Sequence, residues 1–179
     1  FENRDCIVVY ATTEPMDALL IGGNTATIHE GNIIQYGKTI DVYNEPINVM
    51  SAKVFNDPPI NTAFANKKGE SFSLEGNSVN WLLQGNLNNL KDDRYTIGIR
   101  PHSITPYKQK ENSVKIKGKV LIAELSGSES IIHFQSGNLN WVSLSTGIHP
   151  LEVGVEAELY MDVNQFLYFD QNNKLIKHV

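Results

Sequence analysis

A short polar turn near the start of the chain carries the first residues that could do chemistry. Thr12, Thr13 and Glu14 follow the apolar run 7–10 and precede Pro15. The run predicts a strand buried on both faces, and a threonine before proline predicts the start of a helix. Ligands of α/β proteins often bind at such strand-to-helix turns. The threonine hydroxyls are therefore candidates for ligand contact, with helix capping as the structural alternative.

One arginine and one glycine turn further along could hold an anion. Arg100 follows a short apolar run and precedes Pro101, so its guanidinium is held near a rigid turn. It could pair with Glu124, Glu129 or an anionic effector. The turn Ser126-Gly127-Ser128 could present backbone N–H groups to an anion. An internal salt bridge and a plain hairpin turn are the structural alternatives.

Histidine and cysteine spacing gives no sign of a metal site. The five histidines include no i, i+4 pair, and the single cysteine, Cys6, excludes an internal disulfide. Cys6 adjoins the apolar run and is predicted to be a buried thiol. Trp81 and Trp141 fall within strand-like runs, which favours a core or interface role over a sugar platform.

The elements that position these residues change character at the double proline Asp57-Pro58-Pro59. Before it, the sequence predicts a helix from Pro15, a hairpin of the runs 25–28 and 33–36, and two short helices. After it, short strand-like runs alternate with turns, which predicts a small antiparallel barrel or sandwich. The predicted domains are 1–57 and 58–179. The predicted strands are 71–74, 79–83, 95–100, 114–124, 130–135, 140–144, 156–161, 166–169 and 174–176.

Composition excludes several function classes. The 179-residue chain has a formal net charge of −5 and a pI of about 5.5, so general attraction to nucleic acid or anionic lipid is not expected. No apolar run approaches the roughly 18 residues of a membrane-spanning helix. We expect a cytoplasmic protein. Because the chain opens only a few residues before a buried-type strand, we also expect it to lack an N-terminal part.

Six segments in one order resemble motifs of ABC-transporter ATPases of the sugar and glycerol-phosphate importer type. The segments are 9–18 (the switch strand, turn and helix), 31–37 (Gly-Asn-Ile-Ile-Gln-Tyr-Gly), 41–46 (Asp-Val-Tyr-Asn-Glu-Pro), 56–61 (Asn-Asp-Pro-Pro-Ile-Asn), 98–102 (Gly-Ile-Arg-Pro-His) and 124–129 (Glu-Leu-Ser-Gly-Ser-Glu). Three positions depart from the pattern. Thr13 stands where the family has its switch histidine, His102 replaces a glutamate, and Ser126 replaces a leucine.

The resemblance implies the α/β tail of an ABC ATPase domain followed by an all-β, OB-type regulatory barrel. It implies ATP and magnesium as ligands of the complete subunit. It also implies two kinds of partner: a second ATPase subunit, as homo- or heterodimer, and membrane permease subunits at the inner face of the cell membrane. Thr13 would be a degenerate nucleotide switch, while Arg100, Glu124, Ser126, Gly127 and Glu129 would be effector or interface residues.

Catalysis by this chain alone is not expected, because it contains no Gly-x-x-x-x-Gly-Lys-Ser/Thr phosphate loop. The chain would then be the regulatory and dimerisation part of an ABC importer subunit. Two alternatives remain open at this point. One is a stand-alone barrel that binds a small oxyanion or another effector. The other is a single-strand nucleic-acid-binding barrel, which the acidic balance disfavours.

Overall fold

Antiparallel sheets make up most of the computed structural model, which describes residues 6–82 and 85–176. Within these residues the helices are α1 (Pro15–Ile21), α2 (Thr39–Asn44) and α3 (Val49–Val54), with 3-10 turns at Gly85–Asn89, Pro101–Ser103 and Val163–Gln165. The strands are β1 (Asn24–His29), β2 (Asn32–Lys38), β3 (Asn61–Lys68), β4 (Ser71–Leu74), β5 (Asn80–Leu82), β6 (Arg94–Ile99), β7 (Ile104–Thr105), β8 (Val114–Leu125), β9 (Glu129–Ser136), β10 (Leu139–Thr146), β11 (Glu156–Met161), β12 (Leu167–Phe169) and β13 (Leu175–Ile176).

The predicted buried strand at 7–10 is wrong. Ile7, Val8, Val9 and Tyr10 adopt no regular structure and are 96%, 51%, 90% and 62% exposed. A strand of this composition is buried only when other elements cover both of its faces, and the described residues place none against it. Cys6 is likewise exposed, not buried as predicted.

The elements between Pro15 and residue 57 follow the sequence signals. α1 begins at Pro15 and ends at Ile21, and its C-cap residue Gly22 has a φ of +71°, which suits glycine. β1 and β2 form the predicted hairpin around Glu30 and Gly31, both at positive φ. The Asn48 side chain accepts a 2.8 Å hydrogen bond from the Ser51 amide and so caps α3.

Two larger sheets enclose the main hydrophobic core and form a barrel-like structure. The strand orders are β10-β9-β8-β11-β7 and β13-β12-β6-β3-β4-β5, with antiparallel pairing throughout. Inward residues alternate along the strands, as on β9, where Ile132 and Phe134 are buried. The core draws side chains from both sheets, including Phe72, Ile97 and Leu159. The predicted antiparallel β architecture is therefore confirmed, and β3 and β7 are added to it.

Both tryptophans anchor the core, as predicted. Trp81 is 5% exposed, stacks on Phe72 with centroids 5.7 Å apart, and donates a 2.9 Å hydrogen bond from Nε1 to the Tyr168 hydroxyl. Trp141 is 2% exposed and donates from Nε1 to the Thr62 carbonyl. Burial raises the pKa of Tyr168. The indole N–H groups are thus satisfied inside the core.

Residues before the double proline already belong to the packing of the barrel. Ala52 of α3 joins the buried cluster formed by Ile60, Leu167 and Phe169. The segment 47–49 also pairs with the last described strand, because the Leu175 amide bonds to the Ile47 carbonyl and the Val49 amide to that of Asn173. A domain boundary at 57/58 stays a prediction.

Candidate switch, effector and interface residues

The turn before α1 is organised by Thr12 and Asp17. The Thr12 hydroxyl accepts a 2.9 Å hydrogen bond from the Glu14 amide and donates one of 2.8 Å to Asp17 Oδ2. The Tyr10 hydroxyl donates to the same oxygen, and this hydrogen bond raises the pKa of Tyr10. Glu14 is the N-cap residue of α1 and makes no side-chain cap bond. Thr13, the candidate switch residue, is exposed beside this cluster.

Exposed apolar side chains lie on α1, directly after this turn, and on the β1–β2 hairpin. Large apolar side chains there are each 57–80% exposed: Met16, Leu20, Ile21, Ile28, Ile33 and Tyr36. A concentration of exposed aliphatic and aromatic groups of this kind usually marks a binding surface. The turn at Thr13 therefore adjoins the exposed apolar side chains of α1.

Arg100 contacts α2, and within the described residues it forms no ion pair with Glu124 or Glu129. The residue is 6% exposed and follows β6. One terminal guanidinium nitrogen donates to the Tyr43 carbonyl, and the guanidinium carbon lies 4.1 Å from the Tyr43 ring centroid. Its Nε is buried without a hydrogen-bond partner among the described residues. Burial lowers the pKa of Arg100, although a guanidinium stays protonated. Arg100 therefore fastens α2 to the barrel.

His102 lies two residues further on, in the 3-10 turn Pro101–Ser103. Its ring is desolvated by neighbouring groups although the residue keeps exposed surface, and this burial, with the positive charge of Arg100, lowers the pKa of His102. The imidazole is therefore neutral near pH 7. A neutral histidine here cannot supply the negative charge of the glutamate that the related motif carries.

The remaining four candidate residues meet at the tip of the β8–β9 hairpin. The Ser126 amide donates a 3.0 Å hydrogen bond to the Glu129 carbonyl, and Gly127 holds the turn with a φ of +89°. The Glu124 carboxylate lies 3.9 Å from His133 Nε2 on the adjacent strand. The plain hairpin accounts for the turn's geometry, and its Ser126 amide is already used. Effector binding at these residues stays a prediction.

Sequence reasoning missed two residues that make structural contacts in different parts of the barrel. Tyr43 lies inside a quoted motif, yet nothing in that motif indicates that its ring and carbonyl receive Arg100. Lys67 is 5% exposed on β3, where its Nζ donates to Asp92 at 3.0 Å and to the Gly69 carbonyl at 2.8 Å. The alternation Ala63, Ala65, Lys67 points inward and was the available signal.

Comparison with known proteins found relatives along almost the whole chain. No family model matches it. It is 24% identical to an uncharacterized ABC transporter ATP-binding protein, YcjV, of Escherichia coli (strain 536), over 97% of this chain and 49% of that protein. It is 27% identical to the oligosaccharides import ATP-binding protein MsmX of Bacillus subtilis, over 93% of this chain and 48% of that protein. It is 23% identical to the sn-glycerol-3-phosphate import ATP-binding protein UgpC of Vibrio vulnificus, over 94% and 45%.

The chain spans about half the length of the curated relatives it matches. No helix within 6–82 and 85–176 has the length and apolar character needed to cross a bilayer. The resemblance that the six motifs indicated is confirmed by these matches. Along nearly its whole length the chain is homologous to ABC-transporter ATP-binding proteins, including sugar and glycerol-phosphate importers, and a C-terminal part of such a protein fits it.

Proposed function

We propose that this chain is the regulatory and dimerisation part of the ATP-binding subunit of an ABC importer. The observation that carries the proposal is the pattern of matches, which cover 97% of this chain but only 49% of an ABC-transporter ATP-binding protein. The barrel-like pair of sheets supports it, because an OB-type regulatory barrel is the domain that the resemblance implies. ATP and magnesium would be bound by the complete subunit, not by this chain alone.

Two surfaces would have different partners. The exposed apolar side of α1 and the β1–β2 hairpin would pack on the rest of the ATPase domain, next to the nucleotide. The barrel would contact a second ATPase subunit and keep the two together while their ATPase halves open and close. The permease subunits would hold the assembly at the inner face of the cell membrane.

The packing between these two parts suits a mechanical role. Arg100 is stacked on Tyr43, and Ala52 is buried against Ile60 and Phe169. Close-packed contacts of this kind transmit a displacement instead of absorbing it. A movement of α2 and α3 would therefore reach the barrel with little loss.

The state of the nucleotide switch is a second part of the proposal. Thr13 stands where the related ATPases have a histidine that reaches the γ-phosphate, and a threonine hydroxyl is shorter and does not titrate near neutrality. The complete subunit would then hydrolyse ATP poorly as a homodimer. Thr13→His should raise its turnover, while Thr12→His, the matched neighbour, should not. Normal homodimeric turnover with Thr13 in place would contradict this part.

The association of the chain tests the main proposal directly. Light scattering after size-exclusion chromatography should show a dimer that dissociates on dilution. A titration with ATP and magnesium should show no binding by this chain, since it contains no phosphate loop. A chain that stays monomeric at its highest soluble concentration would contradict dimerisation, and firm ATP binding would contradict the assignment to the non-catalytic part.

A further inference from the structure

An apolar surface lies at one end of the five-stranded sheet, distant in sequence from α1. Six aliphatic side chains there are 40–59% exposed, and we call them the edge patch: Leu121, Ile122, Leu125, Ile148, Val153 and Val155. Backbone hydrogen bonds bring their three segments together. Val120 bonds to Gly154 and Val155, and Gly147 bonds to Ser128 at the hairpin tip. The six side chains therefore lie on neighbouring segments but not on one face, because Ile122 shares its face of β8 with Glu124. Leu125 lies on the opposite face, where its cross-strand partner is the buried Ser130.

The strand that carries half of this patch has an open edge. β11 pairs with β8 only as far as Lys119, and Val120 bonds to the segment after β10. Beyond that point the described strands pair with β8 on the β9 side alone. The Ser126 amide points toward β9, where it meets Glu129, and hydrogen-bonding direction alternates along an antiparallel strand. The N–H and C=O groups of Ala123 and Leu125 therefore face the open edge.

The surroundings of the edge patch are acidic. The stretch 120–155 contains no lysine and no arginine, and Lys119, which directly precedes it, lies opposite Glu156 of β11. The carboxylates of the stretch are Glu124, Glu129 and Glu152, and its only other ionisable side chains are His133 and His149. His133 lies 3.9 Å from Glu124 but is not paired with the other two carboxylates. A partner would therefore meet apolar surface bordered by negative charge.

Charge decides between two occupants of this surface. A second copy of the chain would bring three more glutamates and no lysine or arginine from this stretch. Like charges brought face to face are destabilising. A partner that carries lysine or arginine beside apolar residues fits better.

We propose that the edge patch binds an extended segment of a partner protein, in which apolar residues alternate with lysine or arginine. The segment adds as a strand to β8 at Ala123 and Leu125. Its apolar side chains cover the part of the edge patch that lies on the face of Leu125, and its cations lie on the opposite face, toward Glu124 and Glu129. This proposal deepens the proposed regulatory function and rests on it, since the partner named here is the one that would exert regulation.

Selection from a phage-displayed library of random twelve-residue peptides tests the proposal. The selected peptides should combine apolar residues with lysine or arginine, and synthetic copies should bind the chain more weakly as salt is raised. Leu125→Lys should weaken their binding by about tenfold or more, as loss of a central apolar contact does. Leu82→Lys is the matched control. It changes a 73% exposed leucine on β5, the edge strand of the other sheet, and should leave binding unchanged.

Glu129→Lys changes charge at an exposed site and leaves the apolar surface intact, so it keeps the test decisive if Leu125→Lys does not fold. It should weaken binding severalfold. Failure to select any peptide, selection of peptides without cations, or binding that neither substitution weakens would overturn the proposal. So would a dimer that Leu125→Lys dissociates, because a second copy would then cover the patch. A monomeric chain that binds the peptides would contradict only the proposed dimerisation.

Discussion

Replacing Arg100 measures how firmly the barrel holds α2. In Arg100→Met the side chain keeps its aliphatic length but loses the hydrogen bond to the Tyr43 carbonyl and the contact with the Tyr43 ring. A hydrogen bond from a charged donor contributes about 1.5–3 kcal/mol, and a desolvated cation–π contact about 2 kcal/mol. Burial of the charge, with Nε unpartnered, offsets much of this gain. We expect a net loss of about 1–2 kcal/mol in the free energy of unfolding.

A double-mutant cycle separates the ring contact from the rest. Tyr43→Ala removes the ring, including its edge contact with Phe55 at 5.7 Å, but leaves the carbonyl that accepts from Arg100. The Phe55 contribution cancels in the cycle, so the coupling between positions 43 and 100 should be about 1 kcal/mol. Tyr43→Phe keeps ring and carbonyl and should change stability by less than about 0.5 kcal/mol.

Urea unfolding monitored by tryptophan fluorescence is the assay, because Trp81 and Trp141 report on the barrel core while far-UV circular dichroism reports on the whole chain. The two probes should give coincident transitions in every variant. A coupling below about 0.3 kcal/mol would show that the ring and the guanidinium do not stabilise each other. Unchanged stability of Arg100→Met would refute the conclusion that Arg100 fastens α2 to the barrel.

Three further predictions concern groups inside or beside the barrel. Tyr168→Phe leaves the buried Trp81 Nε1–H without its acceptor and should lower stability by about 1–3 kcal/mol, measured by urea unfolding; a wild-type midpoint would show that the N–H finds another partner. Because the folded-state pKa of His102 is lowered, stability should fall as pH drops from about 6.5, the unfolded-state value, through the folded-state pKa. His102→Gln should flatten that part of the pH dependence of Tm, and an unaltered slope would contradict it. The hydrogen bonds from Lys67 and from the Gly69 amide lower the pKa of Asp92, so the stability that it contributes is present above about pH 3.8 and lost below it. Asp92→Asn should remove this acid-dependent loss in thermal melts, and melts that keep it would assign the loss to other carboxylates.

The strands that sequence predicted are those rich in β-branched and aromatic residues. The run 114–124 and the observed β8 differ by a single residue at one end. β3 was missed because Asn61–Lys68 is made largely of alanine, asparagine and lysine, which have low strand preference. Pairing with β4 on one side and β6 on the other makes it a central strand. Tertiary pairing, which local composition does not encode, decided this element.

The prediction for the run 7–10 was wrong in the opposite sense, because a strand was predicted where none forms. Its composition fits a buried strand, but burial is a property of the neighbours, and no described element covers it. The candidate residues show the same limit. The tip of the β8–β9 hairpin groups four of them because they are close in sequence. The neighbour of Arg100 is Tyr43, 57 residues away, and no local pattern indicates a pairing over that separation.

The pairing of residues 47–49 with the last described strand has a practical consequence for anyone who wishes to isolate the barrel. A fragment that starts at the double proline would lose the carbonyl of Ile47 that accepts from Leu175, and the side chains of Val49 and Ala52 that cover Ile60, Leu167 and Phe169. It would expose an apolar surface and an unpaired strand edge, two features that readily cause aggregation. A soluble fragment should instead begin before Ile47, so that it includes α3 together with the barrel.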